Sequence, residues 1–121
     1  MVVVDDSIIR GTTSRGRLEQ LRRAGAKEIH LRVSCPPTIS PCFYGVDFPT
    51  RKELIATHKS VEEIAKFIEA DTLGYQTLEG LLASVKRPED YCTSCWTGEY
   101  PVSPEDDMDK LALETRRGME G

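Results

Sequence analysis

Two neighbouring acids and a glycine-threonine loop are the residues of this 121-residue chain best suited to binding chemistry. Asp5 and Asp6 follow an apolar run, and the segment from Gly11 to Ser14 comes soon after. Hydroxyls and free backbone N–H groups at a helix start favour a phosphate. The carboxylates repel a phosphate, but they accept hydrogen bonds from sugar hydroxyls or hold a hard cation such as magnesium. The combination predicts a site for a sugar phosphate with vicinal hydroxyls.

The apolar run before the acids predicts where this site lies in the fold. Residues 2–4 are all valine, which favours a parallel strand covered on both faces. Open α/β sheets bind ligands at the carboxyl ends of their strands. Gly11 has no Cβ, so we expect the backbone there to approach a ligand closely. The simpler interpretation is an ordinary strand-to-helix turn, but paired acids before Gly-Thr-Thr are rarer than that and favour the ligand site.

A pair of cysteines is the second chemical signal. Cys92 and Cys95 are separated by two residues, a spacing that lets both sulfurs reach one ion. The pair is half of a zinc or iron–sulfur site, and a redox-active pair is the alternative. Cys42 lies far away in a proline-rich loop, where a thiol is usually a small hydrophobic residue.

The rest of the chain alternates helical and extended patterns, which predicts an α/β fold. Strands are expected at 29–33 and, more weakly, at 71–76. Helices are expected over 14–24, shortly after Thr50, from 61 to about 68, over 77–85, and from Ser103 into the tail.

Composition narrows the class of protein. The formal charge of -4 and pI near 5.2 provide no basic field for nucleic acid. No apolar run approaches the length of a membrane span. Asp5 and Asp6 interrupt the first apolar stretch too early for a signal peptide, so a cytoplasmic location is expected.

The residues Val-Val-Asp-Asp-Ser-Ile-Ile-Arg-Gly-Thr-Thr closely resemble the phosphoribosyl-pyrophosphate (PRPP) motif of type I phosphoribosyltransferases. The resemblance implies a Rossmann-like parallel sheet, present here in part, with a helical carboxyl-terminal part. It also implies that Asp5 and Asp6 contact the ribose hydroxyls and help to hold magnesium. The residues it assigns to the 5′-phosphate loop are Ser7, Arg10, Gly11, Thr12, Thr13 and Ser14.

Further motifs resemble the iron–sulfur form of the amidophosphoribosyltransferase family. They include Ser-Cys-Pro-Pro at 34–37, Pro-Cys-Phe-Tyr-Gly-Val-Asp at 41–47 and the segment from Cys92 to Pro101. The resemblance implies that Cys42, Cys92 and Cys95 bind a [4Fe–4S] cluster whose fourth ligand lies outside this chain. Cys35 matches no ligand position and is expected to be a buried thiol, although a four-cysteine zinc site that includes it is an alternative.

The same resemblance implies the organisation of the chain. Residues 1–86 are expected to be part of a phosphoribosyltransferase domain, and 87–121 a cysteine-containing carboxyl-terminal segment. The chain is expected to be the carboxyl-terminal part of an enzyme that makes 5-phosphoribosylamine from PRPP and glutamine in purine synthesis. An amino-terminal glutaminase region, purine nucleotides and further copies of the enzyme are its implied partners. The chain alone is expected to be inactive.

Three other functions stay open on the residues alone. The first is another type I phosphoribosyltransferase that uses a nucleobase. The second is a binding module that holds PRPP or a nucleotide without reacting it. The third is an interaction domain built around metal and sulfur.

Overall fold

Three short parallel strands form the sheet of this computed structural model, which describes residues 1–48 and 50–103. The strands are Val2–Asp5 (β1), His30–Val33 (β2) and Thr72–Tyr75 (β3). Their order is β1-β2-β3, so β2 is central and pairs in parallel with both neighbours. All three predicted strands are confirmed.

Within the described residues, four α-helices and three short 3-10 turns connect and follow the strands. The helices are Thr12–Arg23 (α1), Val61–Ile68 (α2), Leu78–Ala83 (α3) and Ser94–Thr97 (α4), and the 3-10 turns are Arg51–Glu53, Ile55–Thr57 and Pro88–Asp90. Helix α2 begins with a capping box. Ser60 Oγ accepts a hydrogen bond from the Glu63 backbone N–H, and the Glu63 carboxylate accepts one from the Ser60 N–H. None of the described helices combines the length and apolar character needed to cross a membrane.

The hydrophobic core lies between β2 and the helices α1 and α2. Leu31 and Val33 project from β2 onto this side, because alternate residues of a strand face the same way. The buried members of the core cluster are Ile8, Leu18, Ile29, Leu31, Val33, Cys35, Ile55, Ile64 and Ile68. The core therefore fixes the loop that follows β1, since Ile8 is one of its members.

The prediction that β1 is covered on both faces is wrong. Val2 and Val4 are 67% and 72% exposed, whereas Val3 packs against the core. The cause is the position of the strand. Among the described residues β1 pairs only with β2, and Val2 and Val4 project to the face opposite Leu31.

The helix predictions differ from the structure mainly at their boundaries. Helix α1 begins at Thr12, two residues earlier than predicted, after Gly11 in the left-handed conformation. The short helix predicted after Thr50 is two separate 3-10 turns, because the intervening Leu54 is extended and fully buried. The helix predicted from Ser103 lies on residues 104–121, outside the described part of the chain.

Candidate functional site

The loop between β1 and α1 encloses a cavity of about 220 Å³ at the carboxyl end of β1. All eight residues assigned to PRPP by the sequence line it, together with Ile9 and Arg17. Two contacts hold the loop in place. The Ile8 side chain is buried in the core, and the Ile9 carbonyl accepts a hydrogen bond of 2.9 Å from the Ile55 N–H. The cavity wall is therefore anchored to the core on one side and to a 3-10 turn on the other.

One wall of the cavity carries the start of α1. Gly11 precedes the helix, and no side chain caps this end. Within residues 1–48 and 50–103, the backbone N–H groups of Thr12, Thr13 and Ser14 have no protein acceptor. Free amides at a helix start, aligned with the helix dipole, form an anion site. This wall is therefore suited to a phosphate.

The structure shows a packing role for Gly11 that is separate from the predicted approach of the backbone to a ligand. Its φ of +82° is a conformation that side-chain-bearing residues rarely adopt. A Cβ at this position would lie 3.0 Å from Ile55 Cδ1 and 3.0 Å from Phe67 Cε1. The space that the absent Cβ would need is thus occupied by the core, and the glycine lets the loop pack tightly against it.

The other wall carries the two acids. The Asp5 side chain is 17% exposed, and both of its oxygens contact Arg17 Nη1, at 3.1 and 3.3 Å. Asp6 is exposed and accepts a hydrogen bond of 3.3 Å from Ser7 Oγ. Asp6 is therefore open to a ligand, whereas a ligand of Asp5 meets Arg17 as a competitor.

The acids suit magnesium only in combination with a bound ligand. Carboxylate oxygens are the donors that hard cations prefer. Nowhere in the described ranges do three or more His, Cys, Asp or Glu side chains form a group that could hold a metal ion. Magnesium often takes one or two protein carboxylates and completes its shell with water and substrate phosphates. Asp5 and Asp6 fit that mode.

Arg10, predicted to belong to the phosphate loop, is paired with a carboxylate outside it. Arg10 Nη2 lies 3.1 Å from Glu53 Oε1, and Arg10 Nε lies 3.2 Å from the same oxygen. The Glu53 carboxylate also accepts hydrogen bonds from the Thr50 N–H and Oγ1. These contacts, with Arg10 first, lower the pKa of Glu53. Arg10 therefore links the cavity rim to the turn that follows Thr50.

Sequence reasoning missed Arg17, which belongs to none of the motifs singled out in the sequence. The signal was available in the spacing. Arg17 lies four residues after Thr13 and three after Ser14, and residues at these separations share one helix face. Since Thr13 and Ser14 belong to the predicted site, Arg17 lies on the same side. The pairing of Arg10 with Glu53 could not be predicted from local patterns, because the two residues are 43 apart in the sequence.

The cysteines gather near the carboxyl-terminal end of the described chain. The Cys95 carbonyl accepts hydrogen bonds from the N–H groups of Ile39 and Ser40, which join α4 to the loop that carries Cys42. Burial, and then the charges of Cys92, Cys35 and Cys42, raises the pKa of Cys95 to about 11. Cys35 is buried, as predicted, and burial raises its pKa.

Cys92 is the exposed member of the group. Its sulfur lies 3.2 Å from Ser94 Oγ, and hydrogen bonding from Ser94 lowers its pKa. A four-iron cluster needs four thiolates. The described cysteines do not meet in a metal-binding group, so they do not form a complete cluster site.

Comparison with known proteins shows which enzymes this chain resembles. No family model matches the chain. Curated relatives include the amidophosphoribosyltransferases of Methanocaldococcus jannaschii, 56% identical over 102 residues, and of Bacillus subtilis, 51% identical over 107. Each alignment covers 84% of this chain but only 21% and 22% of the relative. The chain thus spans about a fifth of the length of these enzymes.

Solved structures agree in fold as well as in sequence. Glutamine PRPP amidotransferase from B. subtilis, complexed with ADP and GMP, matches with a TM-score of 0.80 and 50% identity. The match covers 89% of this chain and 25% of that one. A second match is the structure of an allosteric regulatory enzyme of purine biosynthesis, with a TM-score of 0.81 and 49% identity. It covers 89% of this chain and 24% of that one. Over the aligned residues, this chain belongs to the amidophosphoribosyltransferase family.

Proposed function

We propose that this chain supplies the ribose-5-phosphate part of the PRPP site of an amidophosphoribosyltransferase. That enzyme makes 5-phosphoribosylamine from PRPP and glutamine in the first step of purine synthesis. The observation that carries the proposal is the cavity at the end of β1. It brings unpaired amides of α1 and the neighbouring acids Asp5 and Asp6 to one cavity, in a chain about half identical to these enzymes.

Each wall has its own role in binding. The N–H groups of Thr12, Thr13 and Ser14, with the neighbouring hydroxyls, bind the 5′-phosphate, because they offer donors at the positive end of α1. Asp5 and Asp6 accept hydrogen bonds from the ribose hydroxyls. Ser7 stabilises the site by its hydrogen bond to Asp6. The chain's contribution is thus to position the sugar for attack at C1, which is a substantial part of catalysis in a two-substrate reaction.

Magnesium is the cation proposed for the two acids. When bound, it neutralises charge on the pyrophosphate group that leaves. The chain's own part is to hold that cation beside the sugar through Asp5 and Asp6 while the amide wall fixes the opposite end of the ligand. Both walls lie on one anchored loop, so the distance between them is set before the ligand arrives.

Turnover requires parts of the enzyme that lie outside the aligned fifth. We assign residues 1–86 to the phosphoribosyltransferase domain and 87–121 to the carboxyl-terminal segment. The glutaminase region that releases ammonia is the proposed partner. The exposed valines of β1 support a partner region, because further structure usually covers an apolar sheet face. The edge of β1, which is unpaired among the described residues, is a second surface that further structure would cover. The chain by itself binds PRPP without turning it over.

The same family membership underlies the remaining proposals. Cys42, Cys92 and Cys95 are proposed as three ligands of a [4Fe–4S] cluster. Because the described cysteines do not form a metal-binding group, this proposal requires them to be drawn together with a fourth cysteine from another part of the enzyme. Purine nucleotides bind the complete enzyme, which is a homo-oligomer. A regulatory role for nucleotides is supported by two solved relatives, one complexed with ADP and GMP and the other an allosteric regulatory enzyme of purine biosynthesis. The four free cysteines of the chain suit the reducing cytoplasm.

The alternative is a chain that holds PRPP or a nucleotide with no reaction to serve. The cavity lining fits it equally well, because binding a sugar phosphate needs only the amides and acids already described. Both functions require that the chain binds PRPP, and isothermal titration calorimetry with PRPP and magnesium tests this binding. The wild-type chain is expected to bind, and Asp5→Asn/Asp6→Asn to lose most of that affinity. Glu79→Gln is the matched control, since Glu79 is exposed and lies outside the cavity.

A second assay separates the alternatives. The chain is mixed with the complementary part of the B. subtilis amidotransferase and assayed for PRPP-dependent glutamine hydrolysis. Restored activity supports the enzyme part, whereas binding without restored activity favours the binding module. Equal PRPP affinity in wild type and Asp5→Asn/Asp6→Asn contradicts both.

A further inference from the structure

Two arginines line the cavity, and they differ in what holds them. Arg10 is paired with Glu53, which is itself fixed by Thr50 and does not line the cavity. Arg17 is paired with Asp5, which does. A ligand in the cavity therefore competes for the partner of Arg17 and leaves the partner of Arg10 alone.

We propose that Arg17 is a second anion-binding group of this cavity, which Asp5 holds until a divalent cation takes the Asp5 carboxylate. The proposal rests on the proposed function, in which Asp5 and Asp6 receive magnesium. Its consequence is that cation and phosphate binding are coupled through one side chain of this chain.

The first step is the competition for Asp5. Arg17 Nη1 contacts both Asp5 oxygens, at 3.1 and 3.3 Å, so the guanidinium occupies the side of the carboxylate that it faces. The Arg17 side chain is 62% exposed, and exposed ion pairs of this kind are weak. Arg17 therefore reduces the affinity for a cation by a small factor, about 2- to 5-fold, and does not block the site.

The second step is the reach of the released guanidinium. Side chains of an α-helix lean toward its amino terminus. Arg17 lies one turn after Thr13, so its side chain extends toward the unpaired amides at the start of α1. Once the cation holds Asp5, Arg17 has lost its carboxylate and faces the phosphate wall. A positive charge added there strengthens phosphate binding.

The two steps give a reciprocal coupling. If a cation raises the affinity for phosphate, phosphate raises the affinity for the cation by the same factor. Direct attraction between magnesium and phosphate also couples them, and it persists without Arg17. The contribution of Arg17 is therefore the difference between the wild-type chain and a variant that lacks this guanidinium.

The test uses wild type and three variants of the full chain, labelled with ¹⁵N and titrated by NMR with magnesium chloride, then with ribose 5-phosphate in saturating magnesium. Arg17→Met removes the proposed group. Arg23→Met is the matched control, because Arg23 lies on the same helix, pairs with Glu19 and does not line the cavity. Arg17→Lys keeps the positive charge but places it on an ammonium of different shape and reach.

Arg17→Met is expected to bind magnesium alone about 2- to 5-fold more tightly than wild type and ribose 5-phosphate by a similar factor more weakly. Arg23→Met should match wild type, and Arg17→Lys should lie between. Unchanged magnesium affinity in Arg17→Met, or unchanged ribose 5-phosphate affinity, overturns the role of Arg17 and leaves the proposed function intact. If wild type binds neither probe in the cavity, both proposals fail.

Discussion

Arg22 and Asp71 join the end of α1 to the start of β3 through contacts that cross 49 residues of sequence. Arg22 Nη2 lies 2.6 Å from Asp71 Oδ2, and the same guanidinium donates to the carbonyls of Lys27 and Glu69. Asp71 Oδ2 also accepts a hydrogen bond of 2.7 Å from the Ile29 N–H, just before β2. One ion pair thus connects helix, central strand and edge strand at the end of the sheet opposite the cavity.

The Asp71 carboxylate is expected to make stability depend on acid pH. The Ile29 hydrogen bond, followed by Arg22, holds its pKa below the ordinary value of 3.8. A carboxylate with a depressed folded-state pKa contributes stability above its unfolded pKa, and this is lost as pH falls through the folded value. At pH 7, Asp71→Asn should therefore have a lower urea midpoint than wild type. Below about pH 4, the difference between the two urea midpoints should become smaller.

Urea unfolding followed by circular dichroism at both pH values measures this. Glu79→Gln, an exposed acid outside the network, controls for the loss of one charge. A gap between wild type and Asp71→Asn that stays constant across the acid range would show that the carboxylate is not the titrating group.

Gly11 is expected to tolerate no side chain. In Gly11→Ala the new Cβ lies 3.0 Å from Ile55 Cδ1 and Phe67 Cε1, at a φ of +82°. Strain and overpacking should cost about 1–3 kcal/mol of unfolding free energy. They should also weaken PRPP binding, because the loop that carries the cavity shifts. Differential scanning fluorimetry and titration with PRPP measure the two effects.

Gly16→Ala is the matched control on the same helix. Nothing lies within 4 Å of its Cβ position, and Gly16 has an ordinary helical conformation. Alanine there should stabilise the chain by roughly 0.5–1 kcal/mol, since glycine weakens a helix interior. If both alanine variants shift the melting temperature in the same direction, the packing argument for Gly11 is wrong.

Local signals in the sequence predicted most of the elements because each is a short-range pattern. Helix α2 lies where it was expected, and the capping box that starts it depends on residues only three apart, Ser60 and Glu63. The exposure of one face of β1 could not be predicted, because an all-valine run has the same sequence whether or not a neighbouring element covers it. Burial of Val2 and Val4 is decided by residues elsewhere in the molecule, so composition alone gave the wrong answer.

For the site, too, local sequence patterns were predictable and long-range contacts were not. The paired acids and the glycine-threonine loop are contiguous, so sequence order already brings their eight residues to one cavity. The pairing of Arg10 with Glu53 depends on where a 3-10 turn packs, which no local pattern encodes. Arg17 lies between these cases. Its spacing from Thr13 was visible, but its partner Asp5 comes from the strand before the helix.

The exposed face of β1 is expected to accept charge without loss of stability. Val4→Lys should change the unfolding free energy by no more than about 0.5 kcal/mol, because the side chain is 72% exposed. Leu31→Ala, on the buried face of β2, should cost about 2–5 kcal/mol. Urea unfolding of the two variants compares the faces directly.

The same substitution should reduce self-association. An apolar edge strand invites pairing with another chain, and a lysine on it opposes that pairing. Sedimentation velocity of wild type and Val4→Lys over a range of concentrations measures this. If Val4→Lys is as destabilised as Leu31→Ala, this face is covered in the folded chain, and its proposed role as the contact with the rest of the enzyme fails.

Cys92 is expected to be the most reactive thiol among the four. It is exposed, and hydrogen bonding from Ser94 lowers its pKa, whereas burial raises the pKa of Cys95 to about 11 and raises that of Cys35. The thiolate is the form that reacts, so iodoacetamide at pH 7.5 should alkylate Cys92 first and Cys35 and Cys95 slowest.

Peptide mass spectrometry of timed samples resolves the four positions, and Cys92→Ser should remove the fastest phase while leaving the others in place. Ser94→Ala tests the cause. Without its hydroxyl, the pKa of Cys92 should rise, and alkylation at pH 7.5 should slow while the rate at pH 10 changes little. Equal slowing at both pH values would instead indicate that Ser94 controls access to the sulfur, because a pKa effect disappears once the thiol is fully ionised.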